Sequence, residues 1–308
     1  MSGLRVIKPG PFSLIQDLGR FGYQHYGVTT GGALDEHAAR WANRLLENTA
    51  DKALLEVTLG NLELQAEHSV WIAITGADCP IQINNESCAG WQTHFLEKGD
   101  RITLGWARNG QRAYLAVKGG FSLRPEFGSC STVVREGLGG IEGKALAVED
   151  LLPCQNSCSD DFICNRGVPY RSIPDYSAPT TLRVISGYQI DNFSQQSRST
   201  FYSTPYKVKV ESDRMGYRLE GAGVSAEITG IFSEGIAFGA IQIPPDGQPI
   251  IMLKDRQTLG GYPKIGTLLP IDAFRLSQCR PGTEVCFEPI SLAEGQEIMR
   301  QFYQFFSA

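Results

Sequence analysis

The chain has 308 residues, 42% hydrophobic and 20% charged, a globular composition long enough for about two domains with sizeable cores. Twenty-eight Lys and Arg against 33 Asp and Glu leave a net charge of −5, which excludes the basic excess of a dedicated nucleic-acid binder and the charge-rich, apolar-poor profile of a disordered chain. No run approaches about 18 consecutive apolar residues, so no membrane helix is expected, and the opening ten residues lack the apolar core of a signal peptide, which predicts a cytoplasmic protein.

Short alternating or apolar runs predict strands at 4–7, 69–75, 81–84, 101–104, 113–117, 182–185, 207–211, 236–243, 250–253 and 284–288, each bounded by Gly, Pro, Asn or Asp. Thirty-four glycines, against an average of about 7%, supply the tight turns that many short strands need. Their spacing predicts barrels or sandwiches. Two segments have helical periodicity. Over 35–47, Ala38, Trp41, Ala42, Leu45 and Leu46 recur at three- and four-residue steps behind an Asp35 N-cap. Over 292–306, Ile298, Phe302 and Phe305 share a face behind the Ser291…Glu294 capping box. Between them, 153–179 is rich in Cys, Asn, Ser, Asp and Pro without periodicity and reads as a long connection at a domain boundary. The resulting division is 1–170 and 171–308.

Four polar, glycine-bearing segments stand out as chemistry carriers. These are Gln16-Asp17-Leu18-Gly19-Arg20, Gly31-Gly32-Ala33-Leu34-Asp35, Ser212-Asp213-Arg214-Met215-Gly216-Tyr217-Arg218-Leu219, and the stretch from Gln242 to Tyr262 with Asp255-Arg256-Gln257-Thr258. Asp, Arg, Gly and Tyr cluster in three of them, a weak internal echo. Glycine lets backbone approach a ligand, Arg offers a planar pair of donors for carboxylate or phosphate, and Asp can take a proton or orient a substrate nitrogen. An Asp–Arg pair that merely pins a turn is the alternative at each.

Common motifs fail. The single approach to a phosphate loop, at Gly143-Lys144, has Leu138 in place of the first Gly and Ala145 in place of Ser or Thr. No glycine-rich dinucleotide fingerprint and no G-x-S-x-G elbow is present. His25, His37, His68 and His94 form no metal-binding pair, and Cys154, Cys158 and Cys164 match no common zinc spacing. The hydroxyls of Gly128-Ser129-Cys130-Ser131-Thr132 have no local base and read as turn or ligand hydrogen-bonding groups.

The chain resembles the 5-oxoprolinase C-subunit family, also known as the biotin-dependent carboxyltransferase or allophanate hydrolase subunit 2 family. The resemblance is carried by Gln16–Arg20, Val28–Asp35 with Ala42-Asn43, Leu55-Glu56 with Leu59-Gly60, Tyr114–Gly120, Gly128–Thr132, Ser212–Leu219, Ser233-Glu234 and Gly239–Gly266, essentially the whole chain. Lys254 and Leu259 stand where the family varies, and Asp255, Arg256, Gln257 and Tyr262 are retained.

The resemblance implies a mainly β fold with a few helices, built as two tandem cyclophilin-like β-barrel domains. It implies a subunit that acts with subunits B and A, and not alone, in the ATP- and Mg²⁺-dependent opening of 5-oxo-L-proline to L-glutamate. The candidate site residues are then Asp17, Arg20, Asp35, Arg214, Asp255, Arg256, Gln257 and Tyr262. Arg20, Arg214 and Arg256 would hold substrate carboxylate or phosphate charge, Asp17 or Asp255 would engage the ring N–H or Mg²⁺, and Gln257 and Tyr262 would give neutral hydrogen bonds. Two other outputs of the same module are carboxyl transfer from a biotinylated carrier to a urea-like substrate and non-enzymatic regulation of a kinase inhibitor. The chain carries no biotin-acceptor motif, so a carrier would be a separate protein.

Overall fold

The computed structural model describes residues 2–155 and 166–307; Cys158 and Cys164 lie outside these residues. The chain divides into two compact units, the first formed by 1–21 and 31–177, the second by 22–30 and 178–308.

The first unit holds eleven strands among the described residues. They are β1 (Gly3–Pro9), β2 (Phe12–Gln16), β3 (Leu54–Thr58), β4 (Gly60–Ala66), β5 (Val70–Asp78), β6 (Ile81–Ile83), β7 (Glu86–Cys88), β8 (Gln92–Leu96), β9 (Arg101–Trp106), β10 (Asn109–Val117) and β11 (Leu151–Pro153). They form a six-stranded sheet in the order β11-β1-β4-β9-β6-β7 and a five-stranded sheet in the order β2-β3-β10-β5-β8. One core draws on both: Leu4, Val6, Leu62, Leu64, Ile102 and Leu104 from the first sheet, Leu55, Val57, Ile72, Ile74, Leu115 and Val117 from the second. The two sheets thus enclose a shared apolar interior. Strand β4 shows why, since its residues alternate buried and half-buried along the whole strand, one face to the core.

Helix α1 (Glu36–Leu45) follows the expected cap: the Asp35 carboxylate accepts the Ala38 N–H at 3.1 Å. It buries Ala38, Trp41, Ala42 and Leu45, the predicted apolar face.

The second unit contains a closed barrel of seven strands. With β12 (Thr180–Ser186), β13 (Tyr206–Val208), β14 (Gly216–Glu220), β15 (Glu234–Gly235), β16 (Ala240–Gln242), β17 (Ile250–Met252), β18 (Leu259–Gly260), β19 (Lys264–Leu268) and β20 (Glu284–Pro289), the order is β12-β19-β16-β17-β14-β13-β20. A parallel pairing of β20 on β12 closes the ring, Thr180 opposite Val285 through Val184 opposite Pro289. Strands β15 and β18 form a separate two-stranded ribbon.

Helices α2 (Gln195–Ser203), α3 (Pro270–Leu276) and α4 (Leu292–Ser307) complete this unit. Only α4 is legible in the sequence. Its capping box forms, with Glu294 N–H donating to Ser291 Oγ and Ser291 N–H to the Glu294 carboxylate, both at 3.2 Å. It docks through Gly295 and Phe302, while Phe305 stays exposed. Helix α2 escapes periodicity because it buries only Ser197 and Phe201, and α3 because seven residues are too few to show a repeat.

The sequence boundary at 170/171 is displaced. Residues 170–176 pack with the first unit, where they wall a cavity of about 460 Å³ opposite Ile74, Ala77 and Trp91. The Tyr176 hydroxyl also donates to Asp35 at 2.8 Å. Residues 22–30 group with the second unit although they lie deep in the first domain's sequence.

Candidate functional site

Three predicted site residues, Asp17, Arg20 and Asp35, lie in the first unit. Asp17 and Arg20 converge on the 129–131 segment. The Asp17 carboxylate accepts the Gly19 N–H at 2.7 Å and, at 2.6 Å each, the Cys130 N–H and the Ser129 and Ser131 hydroxyls. Arg20, 1% exposed, donates to the Ser131 carbonyl at 2.5 Å and the Glu126 carbonyl at 3.4 Å. Gly32, at φ +104°, permits this assembly, since a β-carbon there would stand 2.8 Å from the Leu18 carbonyl oxygen. Asp35 is engaged as the cap of α1. Its N–H donates to the Tyr114 hydroxyl at 2.7 Å, and that hydroxyl donates to buried Glu56 at 2.8 Å. Desolvation first, and the Glu56 charge second, push the Tyr114 hydroxyl well above its ordinary pKa, so it stays a donor. Through these bonds the cluster pins backbone.

The remaining five lie in the second unit. Arg214 and Asp255 form a two-point ion pair at 2.8 and 3.0 Å, both residues more than nine-tenths buried. The Asp255 N–H also donates to the Arg214 carbonyl at 2.9 Å. Arg256 turns inward and donates to the carbonyls of Ile236 at 2.8 Å and Leu253 at 3.0 Å. Burial pushes its pKa down to about 10, against the opposing pull of Asp255. Asp213 Oδ1 accepts the Met215 N–H at 2.8 Å, as Asp17 accepts Gly19. The internal echo between these two segments is therefore an aspartate that caps the backbone two residues on.

Gln257 and Tyr262 line a cavity of about 260 Å³ in this unit, together with Glu211, Asp213, Arg218 and Gln242. Two atoms here are conspicuous. Gln242, 2% exposed, has no hydrogen-bond partner at Nε2 among the described residues, and Gln257 has none at Oε1. A buried donor or acceptor left unmade costs about 1–3 kcal/mol, a cost that a polar ligand would relieve. Arg218 is exposed at the cavity, and none of its guanidinium nitrogens is paired among the described residues. The three arginines expected to hold negative charge are instead committed to Asp255 or to backbone carbonyls.

A second polar cluster sits on the neighbouring strand. Lys264, opposite Gln242 in the β16–β19 ladder, donates to Glu234, which also accepts from the Tyr188 hydroxyl and, at 2.9 Å, from Gln189. Hydrogen bonding from Lys264, then from Tyr188, holds the Glu234 carboxyl below its usual range. The presence of Glu234 in a recognised family segment was its only sequence signal. Among the described residues, no group of three or more His, Cys, Asp or Glu converges to hold a metal ion, so the described acidic side chains do not fit a protein-only Mg²⁺ cage.

The model for the carboxyltransferase domain, subdomains A and B, matches residues 26–289. The chain belongs to this family. Within the carboxyltransferase family it is 34% identical to the 5-oxoprolinase C subunit of Escherichia coli, over 98% of this chain and 96% of that protein. It is 26% identical to urea amidolyase of Saccharomyces cerevisiae, over 96% of this chain but 17% of that protein. The crystal structure of Kluyveromyces lactis urea carboxylase superposes with a TM-score of 0.92 at 25% identity, covering 99% of this chain and 29% of that one. The fold is mainly β with four helices among the described residues, as expected. No helix of the described residues is long and apolar enough to cross a membrane.

Proposed function

We propose that this chain is the C subunit of a cytoplasmic, ATP-dependent 5-oxoprolinase, acting in a hetero-oligomer with subunits B and A. The observation that carries this reading is coverage. The similarity to the 5-oxoprolinase C subunit runs nearly end to end in both proteins, whereas in urea amidolyase it is confined to one part. The site chemistry agrees. A lactam carbonyl is a poor electrophile, and transfer of the terminal phosphoryl group of ATP to its oxygen makes the carbon attackable. Water then adds, the C–N bond breaks to give the amine of glutamate, and phosphate departs. Positioning and charge stabilisation carry such a reaction, and no protein nucleophile is required. The cavity of the second unit offers positioning groups of this kind, the amides of Gln242 and Gln257, the Tyr262 ring and the Arg218 guanidinium. ATP and Mg²⁺ are assigned to the assembled complex, since no phosphate loop is present in this chain.

A second reading, carboxyl transfer from a biotinylated carrier to a urea-like amide, is favoured by the 0.92 TM-score to urea carboxylase. Purified chain mixed with subunits B and A, ATP, Mg²⁺ and 5-oxoproline separates the two. Glutamate that forms only when this chain is included supports the first. A biotinylated protein recovered with the chain, and no glutamate beside a competent control C subunit, supports the second.

A further inference from the structure

Two residues that line the cavity of the second unit, Gln242 and Gln257, each carry one buried amide atom without a hydrogen-bond partner among the described residues, the donor Nε2 and the acceptor Oε1. Arg218, a cationic side chain without an ion-pair partner among the described residues, lines the same cavity. In a lactam the carbonyl oxygen and the N–H lie on the same edge of the amide, because the ring enforces the cis arrangement. In an open-chain secondary amide they point in opposite directions. A donor and an acceptor at one small cavity therefore suit a cis amide.

We propose that this cavity reads a cyclic amide acid at three points. Gln242 Nε2 donates to the lactam carbonyl, Gln257 Oε1 accepts the lactam N–H, and Arg218 takes the carboxylate. The assignment rests on the 5-oxoprolinase reading for the identity of the acid, and on this cavity alone for the cis-amide chemistry. A volume of about 260 Å³ suits a small metabolite and lies just below the range of drug-sized sites, about 300–1,000 Å³. Gly260 lies against the Gln242 amide, where a β-carbon would stand 2.8 Å from Nε2. Both amide atoms are sealed from water in the described chain, so each engages substrate by turning about its terminal torsion, which is broad and soft. Glu211 and Asp213 also face the cavity and oppose a second negative charge. Arg218 is thereby required for an acid and dispensable for a neutral lactam.

The test is calorimetric titration of the full chain, alone and mixed with subunits B and A, with 5-oxo-L-proline, 2-pyrrolidone, N-methyl-2-pyrrolidone and L-proline. Both N–H lactams bind, while N-methyl-2-pyrrolidone, without the N–H, and L-proline, without the carbonyl, bind at least about tenfold more weakly. Gln242→Glu turns the donor into an acceptor and weakens both lactams about tenfold, whereas Gln257→Glu keeps the acceptor and retains 2-pyrrolidone. Arg218→Gln weakens 5-oxo-L-proline about tenfold and leaves 2-pyrrolidone unchanged. Thermal melts of each variant establish folding, and Gln242→Met serves as a second variant where Gln242→Glu melts early. Equal binding of 2-pyrrolidone and its N-methyl derivative, glutamine variants that bind as the parent does, or no lactam binding in either form overturns the assignment. Glutamate formation that needs this chain but ignores the glutamine variants overturns the cis-amide reading and keeps the subunit reading. Lactam binding through the glutamines, with glutamate formation independent of the chain, does the reverse.

Discussion

Asp255→Asn removes the charge that answers Arg214. The pair is buried, more than nine-tenths for both residues, and held at 2.8 and 3.0 Å, so the variant leaves an uncompensated guanidinium inside the second unit. Breaking a buried pair from one side costs about 3–5 kcal/mol, whereas replacing both partners by apolar residues of similar volume is close to neutral. At about 3 °C per kcal/mol for a domain of this size, the melting midpoint of the second unit falls on the order of 10 °C. Arg214→Met does the same, and the double variant Arg214→Met/Asp255→Leu recovers most of the loss, the non-additivity expected of contacting residues. Urea unfolding of the parent, Arg214→Met, Asp255→Leu and the double variant, followed by circular dichroism because all four tryptophans lie in the first unit, measures the cycle. Additive single losses, or an Asp255→Asn protein within about 1 kcal/mol of the parent, refute the reasoning. An Asp255→Asn protein of parental stability that supports no glutamate formation would move Asp255 from scaffold to chemistry.

Asp17→Ala deprives two N–H groups and two hydroxyls of their acceptor. Ser129 and Ser131 are buried, 1% and 0% exposed, so these donors lose their acceptor away from water, and a loss of about 3–4 kcal/mol in the first unit is expected by denaturant unfolding. Burial lowers the His37 pKa below its ordinary 6.5, against the opposing Asp35 charge. The unfolded chain then binds the extra proton first, so this contribution to stability is full above about pH 6.5 and is lost as pH falls through the lower folded value. His37→Gln should flatten the stability–pH curve in that window. Burial pushes the Cys154 thiol up to about 12 and the Cys130 thiol up to about 11, so neither forms thiolate at pH 8. Peptide mapping after brief iodoacetamide treatment should find exposed Cys286 alkylated well ahead of both.

Much of the local architecture was legible because it depends on residues within a few positions of one another. The Asp35 cap, the α1 stripe and the Ser291–Glu294 box are contacts three or four residues apart, and each strand predicted from alternation overlaps an observed one. The polar segments were legible too, as groups. Their internal assignments were not. Arg20, Arg214, Arg218 and Arg256 look alike in sequence, yet the first two and the last spend their guanidinium donors on carbonyls or on Asp255, and Arg218 stands at the cavity.

By itself, then, the sequence determined a mainly β chain, its two capped helices and the family it belongs to. Only the tertiary structure decided what each polar side chain does. Asp17 meets Ser129 across 112 positions, Arg214 meets Asp255 across 41 and Lys264 meets Glu234 across 30. Those meetings are set by strand order and register, which bring distant segments side by side. Periodicity and capping report only the neighbours within a turn.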